Sequence, residues 1–191
     1  MKMLVAAVLG GIVVWMWGAV FHMLTPFGVV DFKNAVPGEQ AVMSAMKTEF
    51  TQGDGIYLLP SMDLGEHGDE AATQAWAEKA KVGPYAWVVY KGNGLSGDPA
   101  AMGPQILHQL LTSTIAAFLL AVVLGATPGS YAKRVGIAVL IGLFAWLSIS
   151  LPQFTWYHFP RNFAFVGALE HGVGGLLAGL IIAKLVKPKP A

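Results

Sequence analysis

Apolar residues gather in four long runs, at about 3–24, 106–124, 135–151 and 163–186. A helix needs about 20 predominantly apolar residues to cross a bilayer, with about 17 as the lower bound. The first, second and fourth runs meet that length, and the third sits at its limit. Between the first and second runs lies a segment, 26–103, whose Pro, Gly and Asp residues end any apolar stretch. Within it, 37–50 and 66–81 read as helices. Pro37 suits a first helical turn, and Glu39 is favourable near a helix N-terminus. The runs 55–59 (GIYLL) and 85–90 (YAWVVY) are rich in β-branched and aromatic residues and read as two short strands able to pair. A connection of this length without structure is unusual, so the pattern predicts a compact cap. GNGLSGDP at 92–99 reads as a flexible link. The segment 151–161 (LPQFTWYHFPR), with two prolines and four aromatic rings, reads as a short interfacial turn, because Trp and Tyr favour headgroup depth. The expected organisation is a first span at 1–25, a cap at 26–103 and three further spans at 104–191. The fold class that follows is an all-α transmembrane four-helix bundle with a small extracytoplasmic α+β cap between the first and second spans.

Composition strengthens this reading. Of 191 residues, 55% are hydrophobic and only 12% charged, where a soluble domain carries about 25%. That balance argues against a soluble enzyme, and no basic run is available to grip nucleic acid. The chain has no cysteine, so disulfides, thiolate metal sites and Cys nucleophiles are excluded. The compartment is not read from cysteine usage, since zero Cys suits either redox state.

Charge sets the expected orientation. Lys2, Lys133, Arg134, Lys184, Lys187 and Lys189 flank the ends that would share one side, with no acid among them. The segment 26–103 holds five Lys against ten Asp and Glu. The positive-inside rule then places both termini and the 125–134 turn in the cytoplasm and the cap outside. The first run follows Lys2 as a signal peptide would. However, its apolar stretch is long for that role, and Trp15, Trp17 and Phe21 are poor neighbours for a small-residue cleavage site, so a retained anchor is expected.

Ten of the 11 acidic residues lie in 26–103, and the eleventh, Glu170, sits inside the last apolar run beside His171. The pair lies about 12 Å below the run's outer end, where an ionisable group costs several kcal/mol unless it is partnered or hydrated. Gly167, His171, Gly175 and Gly179 recur every four residues, with Gly174 alongside. In the first run, Gly11, Gly18 and His22 follow helical spacing. Such small-residue faces invite close helix approach. Gln105, His108 and Thr112 form a polar stripe at the outer end of the second run, and His158 lies in the aromatic turn.

Two readings of these residues stand side by side. In one, the side chains hydrogen-bond between helices. In the other, His22, His108, His158, Glu170 and His171 ligate a transition metal, or paired histidines hold a haem. No HxxxH or ExxH spacing favours the second, and Glu170 and His171 diverge by about 100° on a helix. A through-membrane polar pathway would need polar groups in the inner half of the bundle, which offers almost none. Ser61, Asp63 and His67 are near neighbours in SMDLGEH, but no nucleophile elbow exists.

The opening span with WMWG at 15–18, GIYLLP at 55–60, the Lys133-Arg134 turn and LPQFTWYHFP before a Gly-rich last span together resemble a group of small bacterial integral membrane proteins with four predicted spans and no assigned activity. The resemblance covers nearly the whole chain and implies a bacterial inner (cytoplasmic) membrane, with the cap periplasmic or extracellular. The expected role is that of a non-enzymatic accessory, assembly or scaffold subunit, in contact with membrane lipid and packing against a membrane-protein partner or a second copy of itself. The alternative is a metal- or haem-binding protein.

Overall fold

The computed structural model describes residues 1–33, 37–62 and 68–188. The element order is α1 (Lys2–Leu24), α2 (Glu39–Glu49), β1 (Gly55–Leu59), α3 (Glu70–Val82), β2 (Ala86–Tyr90), α4 (Gly103–Ala126), α5 (Tyr131–Ala145), α6 (Leu151–Tyr157) and α7 (Arg161–Leu185). Two compact units result: Met1–Lys33 with Asp98–Ala191, and Asn34–Gly97. Residues 26–33, expected in the cap, thus belong to the helical unit, because a short turn at Pro26–Val29 folds back on α1. Thr25 fixes that turn. Its hydroxyl donates to the Phe21 carbonyl and accepts the Phe27 N–H, and Phe27 stacks on Phe21.

Among the described residues, four helical segments are long and apolar enough to cross a membrane: Lys2–Leu24, Ala100–Ala126, Tyr131–Tyr157 and Arg161–Leu185. The third differs from expectation. Residues 151–157, expected in a turn, continue the helix. Pro152 has no N–H and its ring would crowd the carbonyl four residues back. The chain accommodates it by widening into a π-helical turn at Trp146–Ser150. The turn proper starts at His158, whose positive φ of 57° ends α6 and lets the Phe159 N–H reach the Gln153 carbonyl.

Within the helical unit, α7 packs against α5 and α1, and α1 packs against α4. The core is built from small side chains: Ala6, Ala117, Ala121, Ala138, Ala178 and Ala183, filled out by Leu124, Val135, Ile182 and Val186. Glycine makes the crossings possible. A Cβ on Gly175 would lie 2.5 Å from the Ala138 carbonyl oxygen, one on Gly179 2.7 Å from Ala138 Cβ, and one on Gly11 2.5 Å from Thr114 Cα. A Cβ on Gly142 would run into the His171 carbonyl. A Cβ on Gly167 would lie 3.2 Å from the Trp146 ring and one on Gly174 3.6 Å from the Trp17 ring, whereas one on Gly18 would meet open space. Most of the small-residue faces expected to receive a partner helix are therefore occupied within the chain itself.

One end of the unit gathers the α4–α5 turn and the end of α7 around Arg134. This side chain is 3% exposed. Its Nε donates to the Leu124 carbonyl at 3.0 Å, Nη1 to Ala183 at 3.0 Å and Nη2 to Val186 at 2.6 Å. Those acceptors lie at the C-terminal ends of α4 and α7, where carbonyls run out of intrahelical partners and carry the negative end of the helix dipole; the Leu124 carbonyl also accepts the Thr127 N–H at 3.4 Å.

The second unit has the two predicted helices and two strands. The helix expected at 66–81 runs from Glu70 to Val82; residues 66 and 67 lie outside the described residues. Asp69 caps α3 by accepting the Ala72 N–H. β1 and β2 pair antiparallel, with Ile56 opposite Val89 and Leu58 opposite Trp87. Phe50 stacks on Tyr57 at 3.9 Å, with Tyr90 edge-on to both rings. Trp76 of α3 donates to the Pro60 carbonyl. Neither α2 nor α3 contributes a buried side chain. Asp54 closes the strand ends: it accepts the Gly92 N–H at 2.8 Å and pairs with Lys91 at 3.3 Å.

Two outcomes follow. Gly175→Leu drives a branched side chain into backbone and is expected to destabilise the bundle by about 3 kcal/mol or more in detergent. Gly18→Leu, in open space, should stay within about 0.5 kcal/mol of the parent. Equal thermal midpoints for the two variants would refute the α5–α7 crossing. The second outcome concerns Asp54. The Gly92 N–H and then Lys91 hold its carboxyl below the ordinary value of 3.8. A depressed carboxylate stabilises above its unfolded pKa, and the contribution is lost as pH falls through the lower folded value. The Gly92 amide resonance should therefore titrate with a midpoint below 3.8; a midpoint at or above that value would show that the contact is not formed.

Candidate functional site

The polar residues inside the apolar helices converge where α1 and α7 meet. Glu170 is the tenth of the 25 residues of α7, and the adjacent His171 is rotated by about 100°. The two consequently serve different neighbours. The Glu170 carboxylate faces α1, where its Oε1 lies 3.0 Å from Nε2 of His22. The His22 side chain is 56% exposed and that of Glu170 28%, which places the pair at the rim of the bundle and not in its core. The Trp17 indole N–H, one turn earlier on α1, donates to the Glu170 backbone carbonyl at 2.9 Å. His22 also packs edge-on against Phe21, and Gly28 abuts the His22 backbone so closely that no side chain fits there. The turn after α1 thus holds His22 in place.

His171 turns along its own helix, with Nδ1 2.7 Å from the Gly167 carbonyl. That carbonyl is the normal acceptor four residues back, so the ring caps the helix's own backbone. On the far side of α7 the Trp146 indole donates to the Ala164 carbonyl at 2.7 Å. The N-terminus of α7 is closed from α1's turn: Asp31, held at a φ of 63°, accepts the Phe163 N–H at 3.2 Å and faces the Asn162 amide at 3.5 Å. A carboxylate there is favoured by the helix dipole.

Of the five residues expected as ligands, the structure brings His22 and Glu170 together and sets His171 beside them on its own carbonyl. His108 projects from the exposed N-terminal part of α4, and His158 occupies the C-terminal cap of α6. Among the described residues no three His, Cys, Asp or Glu side chains are grouped so as to hold a metal ion. Asp63 and His67 lie outside the described residues. Three participants carry no signal in the pattern of apolar runs. Trp17 and Trp146 read as ordinary apolar positions, and Asp31 reads as one more acid of the intervening segment. Their partners are 153, 18 and 132 residues away, distances over which periodicity says nothing.

The chemistry available here is that of ties between helices: two indole donors to carbonyls, one imidazole–carboxylate pair and one acid at a helix N-terminus. Comparison with protein-family models, with curated proteins and with solved structures finds no match to the chain.

If His22 and Glu170 act as a tie, a double-mutant cycle of His22→Ala and Glu170→Ala should give a coupling of about 0.6 kcal/mol, the usual size for a hydrogen bond within a membrane bundle. A coupling of zero would mean that the two side chains contribute independently and that the 3.0 Å contact stabilises nothing.

Proposed function

We propose that the protein is a multi-pass membrane protein of the bacterial inner membrane that performs no catalysis and serves as an accessory, assembly or scaffold subunit. In this reading both termini and the α4–α5 turn are cytoplasmic, and the α2–β2 unit is periplasmic or extracellular. The observation that supports it most is the use of the intramembrane polar groups. Glu170, His22, Trp17 and Trp146 each meet a carbonyl or a side chain of another helix of the bundle, so they hold helices together, while His171 bonds a carbonyl of its own helix. The orientation is supported by the clustering of basic flanks. Lys133 and Arg134 open α5 beside the end of α7, where Lys184 and Lys187 follow. Short basic flanks of this kind face the cytoplasm. The bundle's outward apolar side chains, such as Leu4, Leu119, Phe144 and Leu147, suit lipid.

Purification in mild detergent tests the reading. The expected preparation contains no stoichiometric metal or haem, and its protein mass exceeds that of the 20.3 kDa chain. A Glu170→Gln variant should behave identically. Stoichiometric metal or haem that disappears in that variant would replace the subunit reading with the cofactor reading. For the orientation, a periplasm-only reporter enzyme joined to the C-terminus should be inactive, and the same reporter inserted at 92–97 should be active; the reverse pattern would invert the topology.

A further inference from the structure

One end of the helical unit carries charge that the chain does not balance. It is the end where α1 and α5 begin and α4 and α7 finish. Arg134 draws it together through the Leu124, Ala183 and Val186 carbonyls, and Met3 packs on the same cluster as Leu124 and Val186. Lys2, Lys133, Lys184 and Lys187 are exposed there. Lys133 reaches the Pro128 carbonyl at 3.2 Å, and Arg134 is likewise met by carbonyls alone. The acids of this unit are Asp31, Asp98 and Glu170, which stand at or toward the starts of α4 and α7. Among the described residues no ion pair forms at the basic end. Its cations are left to an anion from outside the chain.

From that end a path leads inward between α5 and α7. The Tyr131 hydroxyl donates to the Leu180 carbonyl at 2.9 Å, so Tyr131 lies along α7, and Lys184 follows Leu180 by one turn. In the other direction, Val139 and Leu176 line the near end of an open groove of about 250 Å³, with Ala168, Leu169, Gly172 and Val173 beyond them. Every group lining it is apolar. Leu176, Leu180 and Lys184 recur every four residues and Val139 follows Tyr131 by eight, so charge and groove share one side of both helices. Eight residues from Lys184 to Leu176 are about 12 Å. Given the membrane-spanning reading proposed above, one leaflet supplies about 15 Å of hydrocarbon, half of the bilayer core. An acyl chain anchored at Lys184 therefore reaches the groove.

We infer that this strip binds one phospholipid with an anionic headgroup. Lys184 and Lys187 hold its phosphate, and one acyl chain runs past Leu180 to Val139 and Leu176. Both parts of the strip select this occupant. A free anion would use the lysines and leave the groove idle. A zwitterionic headgroup would bring its ammonium to a place with no carboxylate to receive it. Basic pockets between helices at the cytoplasmic side are suited to anionic headgroups. The groove's other end has one candidate cation, Arg161, eight residues from Leu169, but its guanidinium lies over the Phe165 ring at 5.8 Å.

The test uses the protein reconstituted into phosphatidylcholine vesicles at low salt. A trace of phosphatidylglycerol or phosphatidylcholine carries a nitroxide on its acyl chain, and electron paramagnetic resonance reads the motionally restricted fraction. A lysine near the membrane surface is worth about fivefold for an anionic headgroup, so even one such site among the lipids around the bundle should make the restricted fraction of phosphatidylglycerol about twice that of phosphatidylcholine. The excess should shrink at high salt. Lys184→Gln with Lys187→Gln should abolish it, and Leu176→Trp, which fills the near end of the groove without altering charge, should lower it. Arg161→Gln should leave it unchanged. Equal restriction of the two lipids, an excess untouched by the lysine pair or by Leu176→Trp, or an excess lost in Arg161→Gln would overturn the site. Displacement by inorganic phosphate would overturn it too, in favour of a free anion. Restriction without preference contradicts this site alone, whereas restriction of neither lipid contradicts the spanning reading and the site with it.

Discussion

The structure of the helical unit depends on one buried cation. Arg134 is enclosed to 3% exposure and is matched by carbonyls in place of a carboxylate. An arginine side chain keeps its charge and offers five donors in a fixed fork. Helix C-termini offer carbonyls that no turn of the helix can satisfy. Placing the guanidinium between the ends of α4 and α7 meets both needs at once. It joins three chain segments, Leu124 at the end of α4, Arg134 itself on the first turn of α5, and Ala183 and Val186 at the end of α7. The Tyr131 hydroxyl, also on that first turn, adds a further bond to the Leu180 carbonyl at 2.9 Å. The α4–α5 turn is short, so this knot sets where both helices begin their passage.

From that end the helices are held by proximity. The packed interior is largely alanine, and among the described residues the largest fully enclosed side chains are Phe21, Leu124 and Ile182. Where glycine stands at a crossing, as Gly11, Gly142, Gly175 and Gly179 do, backbone meets backbone. In a bilayer, which offers no hydrophobic driving force between helices, close van der Waals contact and interhelical hydrogen bonds would carry the association. At the other end the ties are neutral or weakly charged and individually small: Trp17 and Trp146 to carbonyls, His22 to Glu170, and Asp31 to the start of α7. The second unit is built differently. Its order comes from an aromatic trio and the Asp54 clasp, with no buried side chain in its helices.

The four long helices were legible in the sequence because each is a contiguous apolar run, and both strands were legible from their aromatic and β-branched content. The end of the third helix was not. Pro152 ordinarily stops a helix, and nothing local announces that the preceding turn widens to accept it. Glu170 and His171 stood out in the sequence as ionisable residues of the last run, and their divergence by about 100° anticipates their separate neighbours. What stayed hidden was the pairing. The link from His22 to Glu170 spans 148 residues, and Asp31 looks like any acid of the segment around it. Arg134 was hidden in another way. Next to Lys133 it reads as half of a solvated basic flank, yet Lys133 stays at the surface while Arg134 is enclosed. The small-residue faces were seen, but whether they meet a partner or the chain's own helices depends on crossings that one sequence does not display.

The central claim is that the buried guanidinium organises the bundle, and its removal tests this most directly. Arg134→Met and Lys133→Met are compared by reversible unfolding in mixed detergent micelles. Arg134→Met leaves the carbonyls of Ala183 and Val186 without the guanidinium donors and that of Leu124 with the Thr127 N–H alone, and each group left unsatisfied costs about 1–3 kcal/mol. The account predicts a loss of about 3 kcal/mol or more for Arg134→Met and less than about 1 kcal/mol for Lys133→Met, which is exposed. Equal losses for the two variants would contradict it, because Arg134 would then be only one more basic flank of the helix.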